Sequence, residues 1–494
     1  MRASGVLLPI FSLPSPYGIG TLGKDAFLFV DFLKKAGQRY WQILPLNPTN
    51  FGDSPYQSFS AAAGNPYFID LDTLCEEGLL KKSEFAAVDF GSGETVEYEK
   101  LYRHRLAVLK LAYARFDKTD AAYSQFCHEE TEWLEEYVLF MALKEKNDGK
   151  SWREWAKPLK FRQPEALAEA RRALSDMMDF YRFLQFEFYR QWYGLKEYAN
   201  KQGIVIIGDM PIYVADDSVD VWANTAQFDL DEELLPRVVA GCPPDVFCDE
   251  GQLWGMPVYH WQYMQQEAEP FRWWRQRMKR ALQVYDVVRI DHFRGLESFY
   301  CIPYGAKNAK SGVWRKGPGM DLIRALKNDY GGHLPIIAED LGFSTQAVID
   351  LLADSGFPGM KILQFAFNPH EESEYLPHNH PKNCVVYTGT HDNDTVLGWT
   401  TTATAEELTH AKQYLNVKSI AALPWAMIRA AMMSVADTAI VTMADCLGLG
   451  SEARINTPST LGDNWKWRMS KDAANDELVK KLRTMTTLYG RLVK

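Results

Sequence analysis

The sequence is first informative for what it lacks. No apolar run approaches the length of a membrane span, which argues against an integral membrane protein. The opening residues, Met1-Arg2-Ala3-Ser4-Gly5, show no secretory h-region and no transit-peptide character, so the expected location is cytoplasmic. Cysteines number seven and are scattered: Cys75, Cys127, Cys242, Cys248, Cys301, Cys384 and Cys446. No Cys-x-x-Cys pair and no histidine at zinc-ligand spacing accompanies them, so reduced thiols are expected and no metal. Basic charge is also short. The 54 Lys and Arg face 64 Asp and Glu, a net charge of −10, which disfavours nucleic acid or an anionic membrane as partner. There is no low-complexity segment, no short-period repeat and no Gly/Ser-rich or Pro-rich linker. No Gly-x-Gly-x-x-Gly follows a strand, no phosphate-binding Gly-Lys-Ser/Thr loop appears, and the Gly-x-Ser-x-Gly elbow of serine hydrolases is missing.

What is present is a large, aromatic, ordinary-looking globular chain. It has 494 residues, 47% hydrophobic and 24% charged, with 15 Trp, 24 Tyr and 26 Phe. Such rings fill a core, and they also stack on the C–H faces of sugars. Residues 23–37 have helical spacing, with Ala26, Phe29, Val30 and Leu33 on one face and Gly37 as the stop. A strand is expected at Tyr40–Leu46. The patternless stretch Asn47–Tyr67 follows, and its Tyr56, Phe59 and Tyr67 suggest an ordered, ligand-facing loop. Residues 95–200 read as a helical insertion, with Leu184, Phe188, Trp192 and Leu195 as one stripe.

From residue 204 short apolar runs alternate with helical patterns such as Pro270–Val284 and Thr345–Asp354. The runs are Ile204–Ile207, Val287–Ile290, Pro335–Ala338, Ile362–Phe367, Cys384–Tyr387 and Ala439–Met443. Most end in acids. Buried parallel strands in βα units give this rhythm, and acids at their C-terminal ends point to a (β/α)₈ TIM barrel, because barrel sites are built there. A doubly wound open sheet is the alternative. The expectation is one catalytic barrel over 1–494, the helical insertion at 95–200, and a covering loop at 241–261. That loop carries Phe247, Trp254, Tyr259 and Trp261. The basic run Arg272, Arg275, Arg277, Lys279 and Arg280 reads as a solvated helix face.

Three strand-end carboxylates stand out: Asp291, Glu339 and Asp392. One such acid means little; three around one cavity push each other's pKa values apart, as acetal chemistry requires. On a strand Arg289 shares a face with Asp291, and a guanidinium favours the ionised acid, which suits a nucleophile. Glu339 follows Ile336-Ile337-Ala338, an apolar setting that favours the protonated acid and hence an acid/base role. Asp392 with His391 suits hydroxyl binding and transition-state stabilisation. Asp340, Asn393 and Asp394 read as structural. His391-Asp392 also resembles the pair of metal-dependent phosphohydrolases, but it follows a strand and lacks their further histidines.

The motifs, taken together, resemble the 4-α-glucanotransferases (amylomaltases, or disproportionating enzymes) of the α-amylase clan. The resemblance is carried by Asp53-Ser54-Pro55-Tyr56-Gln57-Ser58-Phe59-Ser60, Gly208-Asp209-Met210-Pro211-Ile212-Tyr213-Val214 and Gly251-Gln252-Leu253-Trp254-Gly255. Val287–Gly295, Ala338-Glu339-Asp340-Leu341-Gly342, Gly389–Asp394 and Asn464-Trp465-Lys466-Trp467-Arg468 complete it, in the family's order. It implies Asp291 as nucleophile, Glu339 as acid/base and Asp392 as transition-state stabiliser. It also implies sugar contacts by Tyr56, Asp209, Gln252, Trp254, Arg289, His292, His391 and Asn464. No cofactor is implied. The implied partners are maltooligosaccharides and α-1,4-glucans, with the chain a monomer or small homo-oligomer. The implied reaction is retaining transfer through a covalent glucosyl-aspartate. Met256 and His260 depart from the family pattern, which bears on acceptor preference. A hydrolase of the same clan and a glycan-binding protein on an inactive barrel remain as alternatives.

Overall fold

A computed structural model describes residues 2–244, 249–342 and 345–493. The strands in chain order are β1 (Ala3–Leu7), β2 (Tyr40–Gln42), β3 (Val205–Pro211), β4 (Val238–Cys242), β5 (Gln252–Pro257) and β6 (Val287–Asp291). β7 (Ser298–Pro303), β8 (Val313–Lys316), β9 (Ile336–Ala338), β10 (Gly359–Ile362), β11 (Cys384–Tyr387) and β12 (Thr438–Thr442) follow. Eight of them form one parallel sheet in the order β10-β11-β12-β1-β2-β3-β6-β9. The sheet curls back on itself. The Ala338 N–H on β9 donates to the Pro358 carbonyl just ahead of β10 at 2.9 Å, and Asp340 Oδ1 accepts the Met360 N–H at 2.7 Å. The expected parallel barrel is therefore present, and Asp340 helps to close it.

Its strands are apolar on both faces because helices cover them outside and side chains fill them inside. Trp41, Ile206, Val288, Met360, Ile362, Val386, Ile440 and Val441 are all fully buried. The helix Lys24–Lys35 falls where the Ala26/Phe29/Val30/Leu33 spacing placed it. Arg272–Val284 and Gln346–Ser355 are the expected crossover helices, the latter capped by Thr345 Oγ1. Between β2 and β3 run six helices from Tyr98 to Lys201. The last, Ser175–Lys201, buries Leu184, Phe188, Trp192 and Leu195 completely. One continuous hydrophobic core includes these residues and the barrel.

Several expectations need correction. Strand β1 carries no warning in its sequence, because Ala3-Ser4-Gly5 is small and half polar. Its smallness has a reason: a Cβ on Gly5 would lie 2.4 Å from the Tyr40 carbonyl oxygen on the neighbouring strand. The run Ile362–Phe367 is displaced. The strand ends at Ile362 and a 3-10 turn, Leu363–Phe365, follows. Lys361 hid the true strand; its ammonium leans outward to Glu374 at 2.5 Å. The basic helix face is only partly solvated. Arg277 and Arg280, three positions apart, turn inward and are buried. Arg277 donates to the Ile212 carbonyl at 2.7 Å, and Arg280 pairs with Glu130 at 2.6 Å while lying over Tyr189.

The stretch 241–261 is not one loop. β4 and β5 pair antiparallel within a second sheet, β5-β4-β7-β8, which stands over the barrel mouth. Phe247 and Cys248 lie outside the described residues. Of the other rings, Tyr259 and Trp261 are buried and Trp254 is half-buried. Of Tyr56, Phe59 and Tyr67 in the Asn47–Tyr67 loop, Tyr56 faces the barrel site. Phe59 packs on Phe140 and Tyr67 against Tyr102.

Candidate active site

β6 and its two neighbours set the site. In register, Arg289 lies beside Asp209 on β3, and Asp291 beside Pro211. In-register residues of parallel neighbours project to the same side, so a buried Arg–Asp pair forms inside the barrel. Arg289 Nη1 lies 2.8 and 2.7 Å from the two oxygens of Asp209, and the same nitrogen donates to Asp291 Oδ1 at 2.9 Å. Its Nε faces Met360 Sδ at 3.4 Å. Tyr56 completes the cluster, its hydroxyl donating to Asp209 Oδ2 at 2.9 Å. The neighbouring carboxylates hold the Arg289 guanidinium well above its usual range, overriding burial that alone would lower it.

This geometry refines the sequence expectation. Arg289 is not a private partner of Asp291. Its main anchor is Asp209, whose side chain is 0% exposed against 28% for Asp291. Asp209 was expected to contact sugar. Both its oxygens are engaged by Arg289 and Tyr56, so it also anchors Arg289 beside Asp291. Removing it leaves the buried guanidinium with Asp291 as its remaining carboxylate partner. The Asp209→Ala protein should lose about 3–5 kcal/mol of stability, read as a lowered urea midpoint at unchanged slope. A midpoint equal to that of the unmodified protein contradicts the anchoring role.

Immediately after Asp291 the chain turns sharply. His292 adopts φ 55°, a left-handed conformation uncommon for a non-glycine residue. The turn aims the His292 N–H at Glu339 Oε2, at 2.6 Å. Glu339 Oε1 accepts the Leu341 N–H at 2.8 Å. Strain of this kind concentrates where positioning matters. The Glu339 carboxyl is buried, and burial is the largest influence on it. With Asp291 adding to it, burial outweighs Arg289 and the two backbone donors, and raises Glu339 to about 8. It is therefore mostly protonated at neutral pH. The apolar approach Ile336-Ile337-Ala338 read this correctly, although the backbone donors were not foreseeable. The His292 ring stands edge-on to Trp254 at 4.8 Å. Burial lowers it to about 4, so it is a neutral imidazole. Trp254 Nε1 in turn donates to Gln252 Oε1 at 3.0 Å, so both residues reach the site from β5.

The third acid sits on the loop after β11. Asp392 is 40% exposed, and His391 Nε2 lies 3.3 Å from its Oδ2. Asn456, which the sequence reading did not single out, donates from Nδ2 to Asp392 Oδ1 at 2.6 Å. Arg454 donates to the Asp392 carbonyl at 2.9 Å. The loop is braced from beneath. Asp445 accepts the Thr388 hydroxyl at 2.6 Å and the Val396 N–H at 2.7 Å. Asn393 accepts from Thr390, and Asp394 from Ser451, the structural parts expected of them. Tyr56 stacks on His391 at 5.1 Å and leans on Trp465 at 5.6 Å. Trp465, another residue not singled out, is held at φ 64°. Its place in the motif Asn464–Arg468 was the available signal. Asn464 itself braces the turn Thr457–Thr460 through its amide. Tyr56 thus lies amid Asp209, Asp291, Asp392 and Arg289. Burial first, then the carboxylates, raise its hydroxyl well above the usual phenol range.

Three carboxyl groups now share one barrel mouth with distinct surroundings. One is buried and protonated, and two are open to a ligand. The profile of the 4-alpha-glucanotransferase family matches residues 8–474. The chain belongs to the 4-α-glucanotransferase family. The Clostridium butyricum 4-alpha-glucanotransferase is 49% identical over 98% of this chain and 99% of its own length. The Thermus thermophilus enzyme is 46% identical over 99% of both chains. The structure of the amylomaltase from Streptococcus agalactiae in complex with acarbose superposes with a TM-score of 0.96. It is 42% identical and covers 99% of this chain and all of that one. The match with 4-α-glucanotransferases thus runs through both sheets and the helical region.

Proposed function

We propose that this 4-α-glucanotransferase works by retaining double displacement, with Asp291 as nucleophile, Glu339 as acid/base and Asp392 as stabiliser. Donors and acceptors are maltooligosaccharides and longer α-1,4-glucans. In the first half-reaction an Asp291 oxygen attacks the anomeric carbon. Glu339 gives its proton to the departing glycosidic oxygen, and a glucosyl-aspartate ester forms. In the second, Glu339, now a carboxylate, takes the proton from the 4-hydroxyl of an acceptor sugar. That oxygen attacks the anomeric carbon and releases Asp291. The observation that carries this reading is the contrast between two neighbouring acids. Glu339 is buried and raised to about 8, whereas Asp291 is held open to the site by Arg289. Asp392 and His391 suit the sugar hydroxyls, where hydrogen bonds strengthen as positive charge develops. Tyr56, Gln252, Trp254 and His292 supply stacking faces and polar edges for the bound chain, and Asn464 acts through the turn it braces.

In this reading 1–494 is one catalytic unit, 95–200 an insertion within it, and 241–261 the cover that keeps water from the ester. The unit acts in the cytoplasm as a monomer or small homo-oligomer. Among the described residues no helix is long and apolar enough to cross a membrane. Incubation with maltotriose tests the reaction. Glucose and a ladder of longer oligomers are expected by chromatography. Rising reducing ends without longer products would instead make the protein a hydrolase of the same clan.

A further inference from the structure

A glucan longer than the few sugars held at Asp291 must run off the barrel mouth, and β5 leads away from it. Beyond Trp254 and Pro257 the chain stays extended. The Val258 carbonyl accepts the Asp229 N–H at 3.0 Å, and the His260 N–H donates to the Gln227 carbonyl at 2.9 Å. This pairing lays 227–229 alongside 258–260. An open cleft of about 300 Å³ lies there, within the size of sites that hold small ligands. Its lining includes the apolar Phe228, Leu230 and Leu234, together with Asp231, His260 and Tyr263.

Two features mark it as built. The His260 and Tyr263 rings stack at 5.8 Å with 21° between planes, and Tyr263 is 41% exposed. A flat aromatic platform is thus presented to solvent beside an apolar floor. The lip is preset by a strained turn. Leu234 is held at φ 62°, and Asp231 Oδ1 builds that turn by accepting the Glu233 and Leu235 N–H groups at 2.9 and 2.8 Å. A branched residue in the left-handed region costs energy that surrounding contacts must hold in place.

The chemistry of the lining selects the ligand class. It offers ring faces, apolar side chains, a carboxylate and an imidazole, and no lysine or arginine. Arg237 beside it is engaged by the Leu230 carbonyl and by Asp229 and Glu232, so a phosphate or nucleic acid finds no unpaired cation in the lining. A neutral ring with C–H faces and hydroxyl edges does fit. Six residues separate His260 from Trp254, so the two lie no more than about 22 Å apart, and one long chain can touch both.

We propose that this cleft is a second glucan-binding site, which holds the non-reacting part of a long α-1,4-glucan whose reacting bond lies at Asp291. It rests on the glucan-transfer reading above. It also gives His260, which departs from the family pattern, a place in substrate selection outside the catalytic pocket.

The test compares Tyr263→Ala and Tyr263→Ser with the unmodified enzyme on two donors, maltotriose and long-chain soluble amylose. Both substitutions are at one exposed position. The expected result is a several-fold rise in KM for amylose, with kcat/KM for maltotriose unchanged. Calorimetric titration of amylose into the same variants should show weaker binding. Unchanged amylose KM and binding in both variants, with maltotriose turnover intact, would overturn the cleft alone. Absence of maltotriose transfer by the unmodified enzyme would overturn the reading beneath it.

Discussion

Asp291→Asn protein is expected to bind maltotriose and fail to turn it over. The substitution keeps the side chain's shape and a possible contact to Arg289 Nη1, at 2.9 Å in the unmodified protein. It removes the negative charge and the lone pair that attacks the anomeric carbon. Loss of a nucleophile that acts as part of a unit costs on the order of 10⁴-fold or more in kcat. Binding should persist, because Tyr56, Trp254 and His292 are untouched and Arg289 keeps its Asp209 anchor. Steady-state rates and calorimetric titration with maltotriose separate the two effects. Turnover within tenfold of the unmodified enzyme would remove Asp291 from the nucleophile role. A companion measurement locates the ester. When Glu339→Gln protein is fed α-maltosyl fluoride, whose leaving group needs no proton, the peptide containing Asp291 should gain a glycosyl mass.

The second large effect concerns Glu339. Since burial raises its carboxyl to about 8, it donates a proton at neutral pH and loses that capacity as pH climbs through about 8. The sign follows from the required form. Bond cleavage needs the protonated acid, so kcat/KM for maltotriose should fall as pH rises above that value. Glu339→Gln should lose about 10²–10⁴-fold on maltotriose, and should also lose the alkaline limb. On α-maltosyl fluoride the first step should be largely spared. A variant that keeps the alkaline limb would assign that ionisation to another group, and one that keeps full maltotriose activity would dismiss Glu339 as the acid.

Both effects were foreshadowed by local sequence, but unequally. Glu339 follows three apolar residues of a strand, and burial of such a run needs no tertiary knowledge. The alternation Arg289-Ile290-Asp291 puts the cation and the acid on one face wherever the strand lies. At Asp209 the resemblance implied a sugar contact but gave no sign of the anchoring role. A strand-end aspartate looks alike whether it faces ligand or core, and only the register of β3 against β6 turned it to Arg289. Asn456 and Arg454 escaped notice because they lie more than sixty positions from the acid they hold. No periodicity or spacing connects them.

The antiparallel sheet is the largest feature not anticipated. Its strands are short and differ in character: β4 and β7 are mostly buried, β5 is mixed and β8 is exposed, so no shared pattern marks them as one sheet. Pairing of β4 with both β5 and β7 makes them strands. Met256 illustrates the same gap. It departs from the family pattern and suggested an altered acceptor site, yet its side chain is buried and packs in the core, whereas His260 is exposed.

The parallel barrel, the three strand-end acids and the contrast between an Arg-paired Asp291 and a buried Glu339 were legible along the chain. Each depends on alternation, apolar runs and nearest neighbours, which are local properties. The anchor beneath Arg289, the clamp on Asp392, the strained turn that brings His292 to Glu339, and the sheet over the mouth were decided by tertiary structure. Each of these is a contact between segments far apart in sequence. Such contacts depend on strand register and on which way the chain turns at a strand's end, and no local pattern encodes either.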